Sequence, residues 1–128
     1  MELILGRALA REVEPHVFGG SRAHAPDLLQ AELLQVLRRY ERRGVISEAR
    51  SREAIADLVD LPIARYSTLP LLERAWSLRA NLSAYDAMYV ALGEALDTPL
   101  VTLDARLAAA ARTHARLEVV LLTQDDRP

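Results

Sequence analysis

Leu82-Ser83-Ala84-Tyr85-Asp86-Ala87-Met88-Tyr89-Val90-Ala91-Leu92 runs on through Asp97-Thr98-Pro99 into Leu100-Val101-Thr102-Leu103-Asp104-Ala105-Arg106-Leu107. Ser83 is a preferred helix-capping residue, and Tyr85, Met88, Tyr89, Leu92 and Leu96 recur at the spacing of one helix face. Asp97-Thr98-Pro99 breaks that helix. Leu100 to Leu103 is short and wholly apolar apart from one threonine, which predicts a buried strand, and Asp104 opens an alanine-rich helix. A buried strand between two helices points to a layered α/β fold with a parallel sheet. Such sheets carry functional groups at the carboxyl ends of their strands, where Asp104 sits.

The same alternation extends in both directions. Downstream, Leu117 to Leu122 predicts a last strand, and residues 124–128 form a polar tail. Upstream, Pro70 opens a helix with Leu72, Ala75, Trp76 and Arg79, and Ile63 to Thr68 suits a short edge strand. Ser47 caps a helix in which Ile55, Leu58 and Val59 share a face, with Pro62 as its stop. Before it, Leu29, Leu33, Val36, Leu37 and Tyr40 lie on one helix face, Asp27 and Gln30 have capping-box spacing, and Gly44 suits the end. Gly19-Gly20-Ser21 predicts a turn. Leu3, Ile4, Leu5, Leu9 and Val13 suit a first helix, weakened by Gly6.

Composition narrows the functions available. The 128 residues, read as a single domain over 1–128, are 51% hydrophobic and 27% charged, which excludes a disordered chain. Without cysteine there is no disulfide, zinc finger or thiol nucleophile. All 16 basic residues are arginine, and with a pI near 5.9 any nucleic-acid contact must be local. No apolar run reaches the length of a membrane span and no signal stretch is evident, so a cytoplasmic location is expected.

Three carboxylates stand in unusual places. Glu32 borders the apolar stripe of its helix, Asp86 lies in the first turn of a largely apolar helix, and Asp104 ends the most apolar strand. Singly, each has a structural explanation. Glu32 could pair with Arg39 or Arg79 at a rim, Asp86 could complete a capping box with Ser83, and Asp104 could cap its helix. Gathered at one end of a sheet, they would repel one another unless a cation joined them. Hard oxygen donors suit Mg²⁺ or Mn²⁺, and the chemistry that follows is metal-assisted phosphodiester hydrolysis.

Ala25-Pro26-Asp27-Leu28-Leu29-Gln30-Ala31-Glu32-Leu33, the Tyr-Asp-Ala segment from Leu82 to Leu92, and Leu100 to Leu107 resemble, in order and spacing, the second, third and fourth acidic motifs of PIN domains. Within that family they are most similar to VapC-type toxins of bacterial toxin–antitoxin pairs. The resemblance implies a three-layer α/β/α domain with a short parallel sheet. It also implies an endoribonuclease that uses Mg²⁺ (or Mn²⁺), cuts RNA, is held inactive by a cognate antitoxin and forms a homodimer. By the same resemblance, Glu32, Asp86 and Asp104 form the catalytic set. Asp86 and Asp104 would coordinate metal, and Glu32 would complete the cluster and help position the water.

PIN domains begin with a central apolar strand that ends in an acidic residue, the first metal ligand. Here Met1 to Gly6 is similar to the helix that follows that strand, so the first central strand and its Asp are expected to be absent. Its loss would orphan several backbone groups at about 1–3 kcal/mol each. Two expectations follow: the reading frame opens upstream, or the chain is a weakened remnant that serves as an antitoxin-binding or dimerisation module.

Arg38, Arg39, Arg42 and Arg43 form the densest basic run, suited to an RNA backbone, an acidic partner segment or plain solvent. Trp76 and the tyrosines have core-like spacing and are read as packing rather than base stacking. His16, His24 and His114 have no neighbour at ligand spacing.

Overall fold

The computed structural model describes residues 2–5 and 22–122. Five parallel strands form the sheet: β1 (Glu2–Leu5), β2 (Arg22–Pro26), β3 (Ile63–Tyr66), β4 (Leu100–Thr102) and β5 (Val119–Leu121), in the order β3-β2-β1-β4-β5. The helices are α1 (Leu28–Arg42), α2 (Glu48–Asp60), α3 (Leu72–Ser77, preceded by a 3₁₀ turn at Leu69–Leu71), α4 (Ala84–Leu96) and α5 (Ala105–His114). The expected α/β fold with a short parallel sheet is therefore present.

The centre of the sheet corrects one expectation. Glu2–Leu5 is not helical; it is the central strand, paired with β2 (Ile4↔His24) and with β4 (Ile4↔Leu100). The slot thought to be missing is filled, so the backbone groups of β2 and β4 are not orphaned. A short apolar run fits either a helix or a buried strand, and the free edges of two flanking strands settle it here. Ile4 is fully buried, and its N–H donates to the Pro99 carbonyl at 2.8 Å. Leu9, Val13 and the Gly19-Gly20-Ser21 turn lie outside the described residues, as does the polar tail.

A second strand, β2, was not anticipated. Arg-Ala-His-Ala-Pro has low strand propensity, and its extended form comes from pairing on both sides, with β1 and with β3 (Ala23↔Ile63 to Pro26↔Tyr66). β3 is the edge strand, as expected.

Local signals set the helix ends. The Ser47 and Ser83 hydroxyls accept N–H bonds from Arg50 (3.0 Å) and Asp86 (3.1 Å). Gly44 follows α1 with φ +73°, a left-handed conformation that suits glycine. Asp97 ends α4 at φ 50°. The Asp27–Gln30 capping box does not form, because Asp27 is itself helical (φ −67°, ψ −13°) and its side chain caps nothing.

The most buried helix is α4, with Ala87, Tyr89, Val90, Ala91, Leu92 and Gly93 inside. It packs on β1, β2 and β4. Gly93 marks its closest approach: a Cβ there would lie 2.6 Å from Leu117 Cδ1 and 3.1 Å from the Thr98 carbonyl oxygen. Trp76 departs from its expected place in the core. It is 68% exposed, with the Arg79 guanidinium 4.6 Å above its ring.

Candidate functional site

Topology gathers the three singled-out carboxylates at one edge. The strand order reverses direction between β1 and β4, and in open parallel sheets ligands bind outside the carboxyl ends at such a point. α1 leaves the carboxyl end of β2, α4 lies on the crossover from β3 to β4, and α5 leaves β4. Their N-terminal ends therefore face this edge: Asp86 is in the first turn of α4, Asp104 caps α5, and Glu32 is the fifth residue of α1.

Each carboxylate has a defined setting. Asp104 is exposed and caps α5: its Oδ1 accepts the N–H groups of Arg106 (2.9 Å) and Leu107 (3.2 Å). Its own N–H donates to Oγ1 of Thr102, which is 1% exposed, at 3.0 Å. The capping role considered for Asp104 is thus real, and it leaves Oδ2 outside those two bonds. Asp86 is half-buried in the first turn of α4, above the Ser83 cap. Glu32 is half-buried in α1, and its Oε1 accepts the hydroxyl of Tyr89 at 2.7 Å. Sequence reading treated Tyr89 only as packing; nothing in the residue's spacing signals where a hydroxyl points.

The three share an edge without forming a cage. Among the described residues, no group of three or more His, Cys, Asp or Glu side chains comes together closely enough to hold a metal ion. The oxygen donors suit a hard cation, but the three side chains do not by themselves close around one. On β1, Leu5 is followed by Gly6, so no acidic residue stands where the family pattern would put its first ligand.

The basic run is not brought to this edge. Arg38, Arg39, Arg42 and Arg43 are exposed at the far end of α1. At 1.5 Å per residue they stand roughly 9–16 Å along the axis from Glu32. Arg38 and Arg42 line a cleft of about 320 Å³ together with Leu34, Leu37, Glu41, Ser51 and Ile55. Beside it, Leu33, Leu34, Ile55, Leu58, Val59 and Arg65 line an apolar groove of about 160 Å³ between α1 and α2. His24 is not isolated: its Nδ1 lies 2.7 Å from the Tyr66 hydroxyl, across from β2 to β3.

A wider cleft of about 560 Å³ sits beside α3 and the second half of α4. Its polar wall is a clasp. Arg74 donates to both Glu94 oxygens (Nε to Oε1, 2.7 Å; Nη2 to Oε2, 2.9 Å) and to the His114 carbonyl at 3.2 Å. The Arg116 N–H adds a bond to Glu94 Oε2 at 2.8 Å. Hydrogen bonding from Arg74 outweighs burial and holds the Glu94 carboxyl below its ordinary range. The same bond holds the Arg74 guanidinium above its own. These groups satisfy one another, and the clasp reads as structural.

Comparison with known proteins places this arrangement. The PIN domain pattern matches residues 2–113. The chain is 41% identical over 104 residues to "VapC ribonuclease Mb0985" of Mycobacterium bovis, covering 81% of this chain and 82% of that one. It is 40% identical over 121 residues to "Ribonuclease VapC1" of Mycobacterium tuberculosis, covering 94% and 91%. Its fold is similar to that in the crystal structure of VapBC2 from Rickettsia felis bound to a promoter DNA fragment, with TM-score 0.62, 12% identity, and 93% and 97% of the two chains covered. Among the described residues no helix is long and apolar enough to cross a membrane. With its parallel sheet, its motif order and relatives of this similarity, the chain belongs to the PIN-domain family, alongside the VapC ribonucleases.

Proposed function

We propose that this chain is an endoribonuclease and the toxin of a type II toxin–antitoxin pair, acting in the cytoplasm. The observation that supports this most is the placement of Glu32, Asp86 and Asp104 at the carboxyl edge of a PIN-type sheet, in a chain 40–41% identical to proteins named VapC ribonucleases. Asp86 and Asp104 are the residues that would hold Mg²⁺ or Mn²⁺, with Glu32 beside them. Such an ion would supply water activation and neutralisation of charge on the phosphodiester. Mg²⁺ commonly takes one or two carboxylates and completes its shell with water and phosphate oxygens, so the loose gathering is compatible with an ion shared with RNA. The chain's own contribution is to hold Asp104 by the Thr102 and α5 backbone bonds and to keep Glu32 turned inward.

The antitoxin is the proposed protein partner. The groove between α1 and α2, with Leu34 at 49%, Ile55 at 43% and Val59 at 71% exposure, offers apolar surface of the kind an amphipathic segment covers. A homodimer is proposed as well, and the exposed Leu69, Leu72 and Trp76 give it a surface. One observation favours a second reading. β1 runs into Leu5 and Gly6 where the family pattern needs an acidic residue, as expected for a weakened remnant that only binds its antitoxin or a second copy.

RNA cleavage measured with Mg²⁺, with Mn²⁺ and with chelator, for the wild type and Asp86→Asn, separates the two. Metal-dependent cleavage lost in Asp86→Asn supports the nuclease. Equal background from both proteins would end that reading, and retained antitoxin binding would then favour the binding module.

A further inference from the structure

We infer that Tyr89 is a positioning residue that fixes the Glu32 carboxylate relative to Asp86; the inference rests on the nuclease reading above. Tyr89 is fully buried, yet its hydroxyl reaches across from α4 to α1 and donates to Glu32 Oε1 at 2.7 Å, over 57 residues of sequence. Tyr89 lies three residues after Asp86, so the two share a face of α4. Long side chains in helices lean toward the N-terminus, which carries the phenol back over the turn bearing Asp86.

A buried phenol needs an acceptor, and a hydroxyl donating to an ionised carboxylate makes one of the stronger hydrogen bonds in proteins. This bond turns Glu32 Oε1 toward α4 rather than toward the rim arginines Arg39 and Arg79 considered for it. Arg79 is engaged elsewhere, donating to the Trp76 carbonyl at 3.0 Å. The Glu32 carboxylate on α1 is thereby tied to a rigid ring on the helix that carries Asp86. Phenylalanine would fill the same space without the tie, so packing alone does not explain the hydroxyl.

The test is a four-protein cycle of wild type, Tyr89→Phe, Glu32→Gln and the double variant. Steady-state RNA cleavage is measured with Mg²⁺, alongside thermal midpoints. Tyr89→Phe is expected to lower kcat roughly 10- to 100-fold, the scale of a misplaced catalytic group, with little change in KM. In the Glu32→Gln background, the same substitution is expected to lower kcat no further. A crystal structure of Tyr89→Phe, which needs no activity, is expected to show the Glu32 carboxylate turned away with both helices in place. Wild-type kcat in Tyr89→Phe while Glu32→Gln is inactive would overturn the inference and leave the nuclease reading standing. So would an equal loss in both backgrounds, the mark of general structural damage. Wild-type kcat in Glu32→Gln would overturn the assigned role of Glu32, and this inference with it.

Discussion

Substituting Glu94 by glutamine probes the clasp that joins α3, α4 and the turn before β5. The Glu94 side chain is 14% exposed and accepts from Arg74 twice and from the Arg116 N–H once. Hydrogen bonds to charged groups contribute about 1.5–3 kcal/mol each when shielded. The Arg74 side chain is 41% exposed, so water and salt discount its share toward the values of surface pairs, about 1 kcal/mol or less. The Arg116 bond lies at the exposed surface as well, so, allowing glutamine to keep one acceptor, Glu94→Gln should cost about 1–2 kcal/mol at pH 7. For a domain of this size, that lowers the thermal midpoint by roughly 3–10 °C.

The pH dependence fixes the sign. The folded-state pKa of Glu94 is depressed, chiefly by the hydrogen bond from Arg74. Its stabilisation is complete above the unfolded-state pKa, about 4.3, and is lost as pH falls through the lower folded value. Urea unfolding by circular dichroism from pH 7 down to about pH 3 should therefore show the gap between wild type and Glu94→Gln closing at the acid end. A gap that stays constant with pH, or one below about 0.5 kcal/mol at pH 7, the size of an ordinary surface change, would refute the reasoning.

Three further outcomes are expected. Gly93→Ala should destabilise by about 1–3 kcal/mol, because the Thr98 carbonyl cannot retreat as the Leu117 side chain can, and Gly93→Val should cost more; thermal melts check both. Ser83→Ala should cost about 1 kcal/mol in urea unfolding by removing the bond to the Asp86 N–H. Asp104→Asn keeps a good cap and should leave stability nearly unchanged while removing RNA cleavage. Wild-type cleavage by Asp104→Asn would show that the carboxylate only caps α5.

Much of the architecture was legible in sequence because local and tertiary preferences agree there. Ser83, Asp97-Thr98-Pro99 and Asp104 punctuate α4, β4 and α5 where the residue chemistry places them. β1 and β2 were misread for opposite reasons. Leu3-Ile4-Leu5 is apolar enough to be buried in either conformation, and Arg22-Ala23-His24-Ala25-Pro26 has almost no preference of its own. Both are strands because each is flanked on two sides by backbone that needs partners. For the site, the identity of the three carboxylates could be read, but not the Tyr89 hydroxyl on Glu32. Periodicity reports which face a side chain occupies; it carries nothing about the atom at its tip. Trp76 shows the same limit, since helical spacing does not tell a core face from one left open to solvent.

β1 also sets the order of folding. Among the described residues, Glu2–Leu5 is the strand that joins the β2–β3 pair to the β4–β5 pair. During synthesis Glu2–Leu5 emerges before the other four strands, and its second partner, Leu100–Thr102, is made nearly a hundred residues later. The sheet cannot close before then. The closing contact spans most of the chain, the kind of non-local pairing that slows folding. Until it forms, the strand edges that β1 later covers are open to pairing with neighbouring chains.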